Sequence, residues 1–155
     1  MEAREVIKKT HRIAALVGLA VFGALVFYLV LVELIRTKMA PFYGLYHLKD
    51  LKTLNQLRYF FYGLSAVSLI LARIIQGLLL RKKSGENASD LLNRLYRTSL
   101  ITVIMSELPA LFGLILFLIG GLNRDFYVLL VISVVALFIF FPRRRSWEEW
   151  ILDQS

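Results

Sequence analysis

Cysteine is absent from this sequence and histidine is nearly so. Without cysteine, the chain has no disulfide framework, no thiolate metal site and no cysteine nucleophile. The two histidines, His11 and His47, lie far apart beside apolar segments, which argues against a metal site. The sequence also contains no phosphate-binding loop and no nucleophile–base motif. We therefore expect a protein that is not an enzyme and that carries no metal or other cofactor.

Charged residues are few: they make up 19% of the chain, whereas hydrophobic residues make up 58%. The mean hydropathy is +0.66, and runs of about 20 apolar residues predict membrane-spanning helices. The net charge of +8 would suit a nucleic-acid-binding protein. The basic residues, however, cluster at the ends of apolar runs, as they do in membrane proteins. We expect the lipid bilayer, and not nucleic acid, to be the partner of this chain.

Four apolar runs divide the chain, at about residues 13–35, 57–80, 98–120 and 125–141. Each must be helical in hydrocarbon, because every backbone polar group there needs a partner within the protein. The first run is longer than the apolar part of a signal peptide and no small-residue cleavage site follows it, so we expect an uncleaved span. The sequence predicts an all-α fold, a single membrane domain built as a bundle of four transmembrane helices.

Lysine and arginine predict how this bundle is oriented. About twice as many of them lie in the N-terminal segment, the loop between the second and third runs and the C-terminal tail as in the other connections. The first group comprises Arg4, Lys8, Lys9, Arg12, Arg81, Lys82, Lys83, Arg94, Arg97, Arg143, Arg144 and Arg145. The second comprises Arg36, Lys38, Lys49, Lys52, Arg58 and Arg124. The positive-inside rule then predicts that both termini are cytoplasmic. We expect the chain in the cell inner (plasma) membrane.

Leucines recur at every third position in the first outer loop. They are Leu45, Leu48, Leu51, Leu54 and Leu57. This spacing predicts a short amphipathic helix that lies on the outer membrane surface and continues into the second span.

One glutamate lies inside the third apolar run, in the stretch IMSELPALFGLI (residues 104–115). At a rise of about 1.5 Å per residue, Glu107 is roughly 14 Å from the start of the run near Thr98. That depth is close to the middle of a hydrocarbon core about 30 Å thick. An ionised, unpaired carboxylate there is costly. Three arrangements avoid the cost: a proton on the carboxyl group, a cation paired with it, or a water-filled path beside it.

The second run contains one candidate cation for Glu107. Arg73 precedes Arg81 at the cytoplasmic end and lies roughly 12 Å deep. Consecutive spans with a short connection usually pack side by side, so an Arg73–Glu107 ion pair is one prediction. The alternative is that Arg73 extends to the inner headgroups. For Glu107 the alternatives are a structural contact between helices and a carboxyl group that titrates during transport.

Pro109 and a stripe of small residues surround the glutamate. Pro109 cannot bond to the carbonyl of Met105, which predicts a helix kink. The stripe consists of Ser99, Thr102, Ser106, Ala110 and Gly113. Such a stripe permits close helix packing, and it is equally suited to form the polar wall of an ion path. The candidate ion-binding residues are Glu107, Arg73, Ser106 and Thr102.

The second and third runs together resemble a known hairpin. They read GLSAVSLILARIIQGLLLRKK (residues 63–83) and RTSLITVIMSELPALFGLILFLIG (residues 97–120), with a polar loop between them. This arrangement resembles the rotor-ring proteolipid, subunit c, of F-type and V-type ATP synthases. In that family a buried carboxylate on the second helix precedes a segment like Leu111–Leu114. Here the family's glycine repeat is replaced by residues 68–71, and two further spans flank the hairpin. The resemblance implies that Glu107 binds a transported proton or sodium ion.

Two functions follow from these patterns. The first is a small polytopic membrane protein, similar to bacterial four-span proteins, that moves protons or cations or belongs to a complex that does. Because four helices rarely enclose a pore, this function requires a homo-oligomer or a partner in a membrane complex. The second is a non-transporting accessory or scaffold subunit, in which the Arg73–Glu107 pair only fixes helix packing.

Overall fold

Four helices make up most of the chain that the structure describes, a computed structural model covering residues 2–45, 50–80 and 88–141. They are α1 (Glu2–Lys38), α2 (Leu51–Leu79), α3 (Ala88–Gly120) and α4 (Asn123–Phe140). All four are long and apolar enough to cross a membrane, over Arg12–Lys38, Leu51–Leu79, Asn93–Gly120 and Asn123–Phe140. The predicted all-α architecture with four candidate membrane spans is therefore confirmed.

The central helix is α3, which packs against each of the other three, whereas α4 contacts α1 and α2 more sparsely. One buried cluster lies among α1, α3 and α4, and a smaller one joins α2 to α4. The first includes Leu25, Val32, Val103, Phe117 and Phe126; the second is Ala72, Ala136 and Phe140. Glu107 therefore lies on the helix that holds the bundle together.

Several small polar side chains are buried in this bundle, and many large apolar ones outside the core are exposed. The buried polar residues include Ser65, Ser68, Thr98, Thr102, Ser106 and Ser133. The exposed apolar residues include Phe27, Val131 and Ile139, each at least 60% exposed. Small and polar residues at helix contacts are typical of membrane bundles, in which lipid covers the outer apolar side chains. The burial pattern thus supports a multi-pass membrane protein independently of helix length.

The connection after α1 packs on the turn between α3 and α4, at what we name the loop end of the bundle (residues 39–45 and 120–125). The backbone N–H of Leu45 donates to the carbonyl of Leu118 at 2.8 Å. Gly44 has φ +85° and touches the backbone of Ile119, so a side chain at position 44 has neither the space nor the conformation it needs. At the opposite end Phe141, which follows α4, packs on Gly18 of α1.

The predicted interfacial helix falls partly on residues 46–49, which lie outside the described residues, so it stays a prediction. Residues 39–45 form no helix, and residues 51–57 belong to α2. Asp50 is the N-cap of α2, where its carboxylate accepts hydrogen bonds from the Thr53 hydroxyl at 2.7 Å and the Lys52 N–H at 3.1 Å. The bond from the Thr53 side chain, and then that from Lys52, lower the pKa of Asp50 below its ordinary value.

Candidate functional site

Glu107 meets a tyrosine at the middle of the bundle. It lies at the centre of the candidate span Asn93–Gly120, and Tyr28 lies near the centre of the span Arg12–Lys38. The Tyr28 hydroxyl donates to the Glu107 Oε1, and both side chains are half-buried. A hydrogen bond between α1 and α3 therefore occupies the carboxyl group that the sequence singles out.

Arg73 is not the partner of Glu107, so the predicted Arg73–Glu107 ion pair is not formed. Its Nη1 donates instead to Gln76 Oε1 at 3.0 Å, one turn further along α2, and its side chain is exposed. Ala72 lies on the buried face of α2. Successive side chains on a helix are rotated by about 100° about its axis, so Arg73 points away from that face. The rotation of Arg73 about the α2 axis therefore directs its side chain away from Glu107.

The hydroxyl groups of Thr102 and Ser106 are bonded to their own helix. Thr102 Oγ1 donates to the carbonyl of Thr98 at 2.9 Å and lies 3.1 Å from that of Ser99, and Ser106 Oγ donates to the carbonyl of Val103 at 2.6 Å. Both side chains are buried. This geometry favours the close-packing interpretation of the small-residue stripe over a polar wall that faces Glu107.

Ser133 of α4 binds the backbone of α3 beside the glutamate. Pro109 has no backbone N–H, so one hydrogen bond is missing inside α3. The helix nevertheless continues past Pro109. The next residue, Ala110, donates its N–H to the Ser133 Oγ at 2.8 Å, and the same oxygen lies 3.5 Å from the Glu107 carbonyl oxygen. The fully buried Ser133 thus connects α4 to the same turn of α3 that Tyr28 contacts.

Two further carboxylates near the loop end are also bonded to a tyrosine of another helix. Tyr127 of α4 donates to Glu33 Oε1 on α1, and Arg36 pairs with the other oxygen of Glu33 at 2.9 Å. These residues form a contact between α1 and α4 in which a positive charge accompanies the carboxylate.

The other carboxylate is Asp125, which is 5% exposed at the start of α4. It accepts a hydrogen bond from Tyr62 at 3.1 Å and pairs with Arg58 at 2.7 Å, both residues of α2. Glu107 therefore differs from Glu33 and Asp125, since among the described residues a tyrosine but no arginine or lysine is bonded to it.

Sequence reasoning missed two residues of this site, Tyr28 and Ser133. A signal for Tyr28 was present, because Tyr28 and Glu107 lie at similar depths in their runs. The sequence does not reveal which face of the first helix meets the third, and tyrosines elsewhere in the chain suit an interfacial position equally well. No comparable signal distinguishes Ser133 from the other serines.

A scan against models of protein families found no match, and searches of curated proteins and of solved structures found none either. Within the residues that the structure describes, no group of histidines and carboxylates could hold a metal ion. The interpretation of the site therefore depends on its own geometry.

Proposed function

We propose that this chain is a small polytopic membrane protein that binds a proton, or another small cation, at Glu107 as part of ion translocation. The observation that carries the proposal is the bonding of Glu107 to the uncharged Tyr28 at mid-span depth, without a basic partner among the described residues. The carboxylates near the loop end, in contrast, have arginine partners.

An ionised carboxylate in hydrocarbon needs a compensating positive charge. A single tyrosine hydroxyl supplies a hydrogen bond but no charge, so a bound proton is the simplest way for Glu107 to remain at this depth. A carboxyl group that takes up a proton on one side and releases it on the other is the minimal unit of proton translocation. Release requires that Glu107 meet water or a cation after some change in its surroundings.

The position of α3 suggests where that change occurs. The centre of the bundle is filled, because α3 packs there against three helices. An ion route that includes the half-buried Glu107 would therefore run along the outside of this bundle, between it and another subunit. We therefore propose a homo-oligomer or a membrane-complex partner. The resemblance of residues 63–120 to the rotor-ring proteolipid hairpin supports the same role for Glu107. In this chain, α1 would contribute Tyr28 to that site.

Proton flux into liposomes tests this proposal. The wild-type chain should take up protons under an imposed membrane potential, and Glu107→Gln should reduce the flux to that of empty liposomes while the helix content stays unchanged. Glu33→Gln is the matched control, since it changes another tyrosine-bonded carboxylate near the loop end and should retain the flux. Flux that persists in Glu107→Gln would refute the transport role.

A second candidate function is a non-transporting accessory or scaffold subunit. The bonds of Thr102 and Ser106 to their own helix favour it, because neither of these two hydroxyls is directed at Glu107. In this case the Tyr28–Glu107 hydrogen bond fixes helix packing, in place of the predicted Arg73–Glu107 ion pair. Wild-type liposomes would then show no flux, and combining Glu107→Leu with Tyr28→Phe would cost less stability than the two separate losses added together.

For either function, we propose the cell inner membrane with both termini cytoplasmic. This proposal is supported by the excess of basic residues in the two termini and the connection between α2 and α3. The loop end of the bundle would then face outward.

A further inference from the structure

A groove between α2 and α4 has almost wholly apolar walls, and Arg73 lines it with the carbon stem of its side chain. Its volume is about 430 Å³, and its lining includes Leu69 and Arg73 of α2 and Val131, Val135, Ile139 and Phe140 of α4. We infer that this groove binds an anionic phospholipid, whose phosphate contacts Arg73 while an acyl chain lies along α4. The inference does not depend on Glu107 or on ion translocation.

The level of Arg73 in the membrane fits a lipid phosphate. Ala72 packs with Ala136 and Phe140, so the next residue, Arg73, lies beside the last turns of α4. The 18 residues of α4 span about 27 Å, which is close to the hydrocarbon thickness of about 30 Å. The end of α4 at Phe140 therefore marks the hydrocarbon boundary, and the long side chain of Arg73 can reach the headgroups.

The charge of Arg73 is available to an anion. Its Nη1 bonds to Gln76, and the ion pairs among the described residues involve Arg36 and Arg58 instead. A guanidinium group has several donors in one plane, which suits two oxygens of a phosphate. Both helices are also followed in sequence by basic runs, at residues 81–83 and 143–145, and such runs near a membrane surface attract anionic lipids.

The walls of the groove favour an acyl chain over a helix of another protein. Val131, Val135 and Ile139 are at least 52% exposed, and all three are branched. Close helix contacts in membranes usually require small residues that let the two backbones approach. A flexible acyl chain can follow the branched side chains, so the combination of one cation and an apolar trough matches a lipid with an anionic head.

Lipid binding to the purified full-length chain in detergent tests this inference. Native mass spectrometry would compare phosphatidylglycerol with phosphatidylcholine of identical acyl chains. The wild type should bind phosphatidylglycerol at least about fivefold more tightly, the factor typical of one basic residue at a membrane surface. Arg73→Gln should abolish the preference. Arg97→Gln, which removes an exposed arginine of α3 outside the groove, should retain it.

A second pair of variants tests the apolar wall. Val135→Trp should fill the groove and weaken the binding of both lipids, whereas Val128→Trp, two turns earlier on the same face of α4 and outside the groove, should not. The inference is refuted if Arg73→Gln keeps the preference, if Arg97→Gln loses it equally, or if Val128→Trp matches Val135→Trp. A different result would assign the groove to a carboxylate of another protein chain. In that case the wild type would show no lipid preference and would form cross-linked dimers that Arg73→Gln does not form, and the inference would be refuted.

Discussion

At the residue scale, three carboxylates of this bundle are each bonded to a tyrosine from another helix, and they differ in charge balance. Glu33 and Asp125 lie near the loop end and have arginine partners. Glu107 lies at mid-span and has Tyr28 as its bonded partner. The shared hydrogen bonds join pairs of helices at all three carboxylates. Among the described residues Glu107 has no arginine or lysine partner, which is why we propose a proton there.

Replacing Tyr28 with phenylalanine measures the strength of this contact. The substitution removes the hydroxyl donor and leaves the ring, so we expect the free energy of unfolding in detergent to fall by about 1 kcal/mol, the usual size of a hydrogen bond between membrane helices. Tyr43→Phe is the control, because Tyr43 is 64% exposed and should tolerate the change. Equal stabilities of the two variants would mean that the Tyr28–Glu107 bond does not hold α1 to α3.

At the element scale, the start of α2 depends on an ionised N-cap. The pKa of the Asp50 carboxyl group is lower in the folded chain than its ordinary value. The stability that the ionised cap contributes is therefore fully present above the ordinary pKa. It is lost as the pH falls through the lowered pKa of the folded chain. Thr53→Val removes the hydrogen bond that lowers this pKa most. We expect the Asp50 pKa to rise and the first-turn amides of α2 to lose exchange protection at a higher pH than in the wild type. NMR titration measures both; an unchanged Asp50 pKa would exclude Thr53 as the cause.

The contact between α3 and α4 depends on Ser133. Ser133→Ala leaves the buried N–H of Ala110 without its acceptor on α4, so the free energy of unfolding should fall by about 1–3 kcal/mol. Ser65→Ala is a matched control, since Ser65 is also buried but donates to the carbonyl of Phe61 in its own helix, and it should cost less. Thermal unfolding in detergent compares the two. A larger loss in Ser65→Ala would contradict the assigned role of Ser133.

At the scale of the whole molecule, the sequence predicts the helices well and their contacts poorly. Length and hydropathy suffice for the four candidate spans because hydrocarbon imposes helix on every apolar run. Position along a helix axis is also predictable, since Glu107 lies at the centre of the candidate span Asn93–Gly120, as its place in the apolar run indicates. Rotation about the axis is not predictable. Arg73 lines the groove between α2 and α4, and Tyr28 bonds to the Glu107 carboxyl group instead. Apolar residues surround each helix on nearly all sides, so hydropathy does not reveal which face meets its neighbours.

The absence of cysteine makes the orientation of the whole molecule testable. Single cysteines placed at Asp50 and Arg124, near the loop end, should react with a membrane-impermeant thiol reagent in intact cells. A cysteine at Glu2 should react only after the cells are opened. This pattern follows if both termini are cytoplasmic, and the opposite pattern would reverse the proposed orientation.

We propose that Glu107 holds a proton within the bilayer, and a hydrophobic carbodiimide can detect that proton, since this reagent reacts with protonated carboxyl groups in apolar surroundings. Mass spectrometry of the labelled wild-type chain in membranes should locate the adduct at Glu107, with a rate that falls as the pH rises, and Glu107→Gln should abolish the adduct. An unmodified Glu107 in a chain labelled at Glu33 or Asp125 would contradict the account.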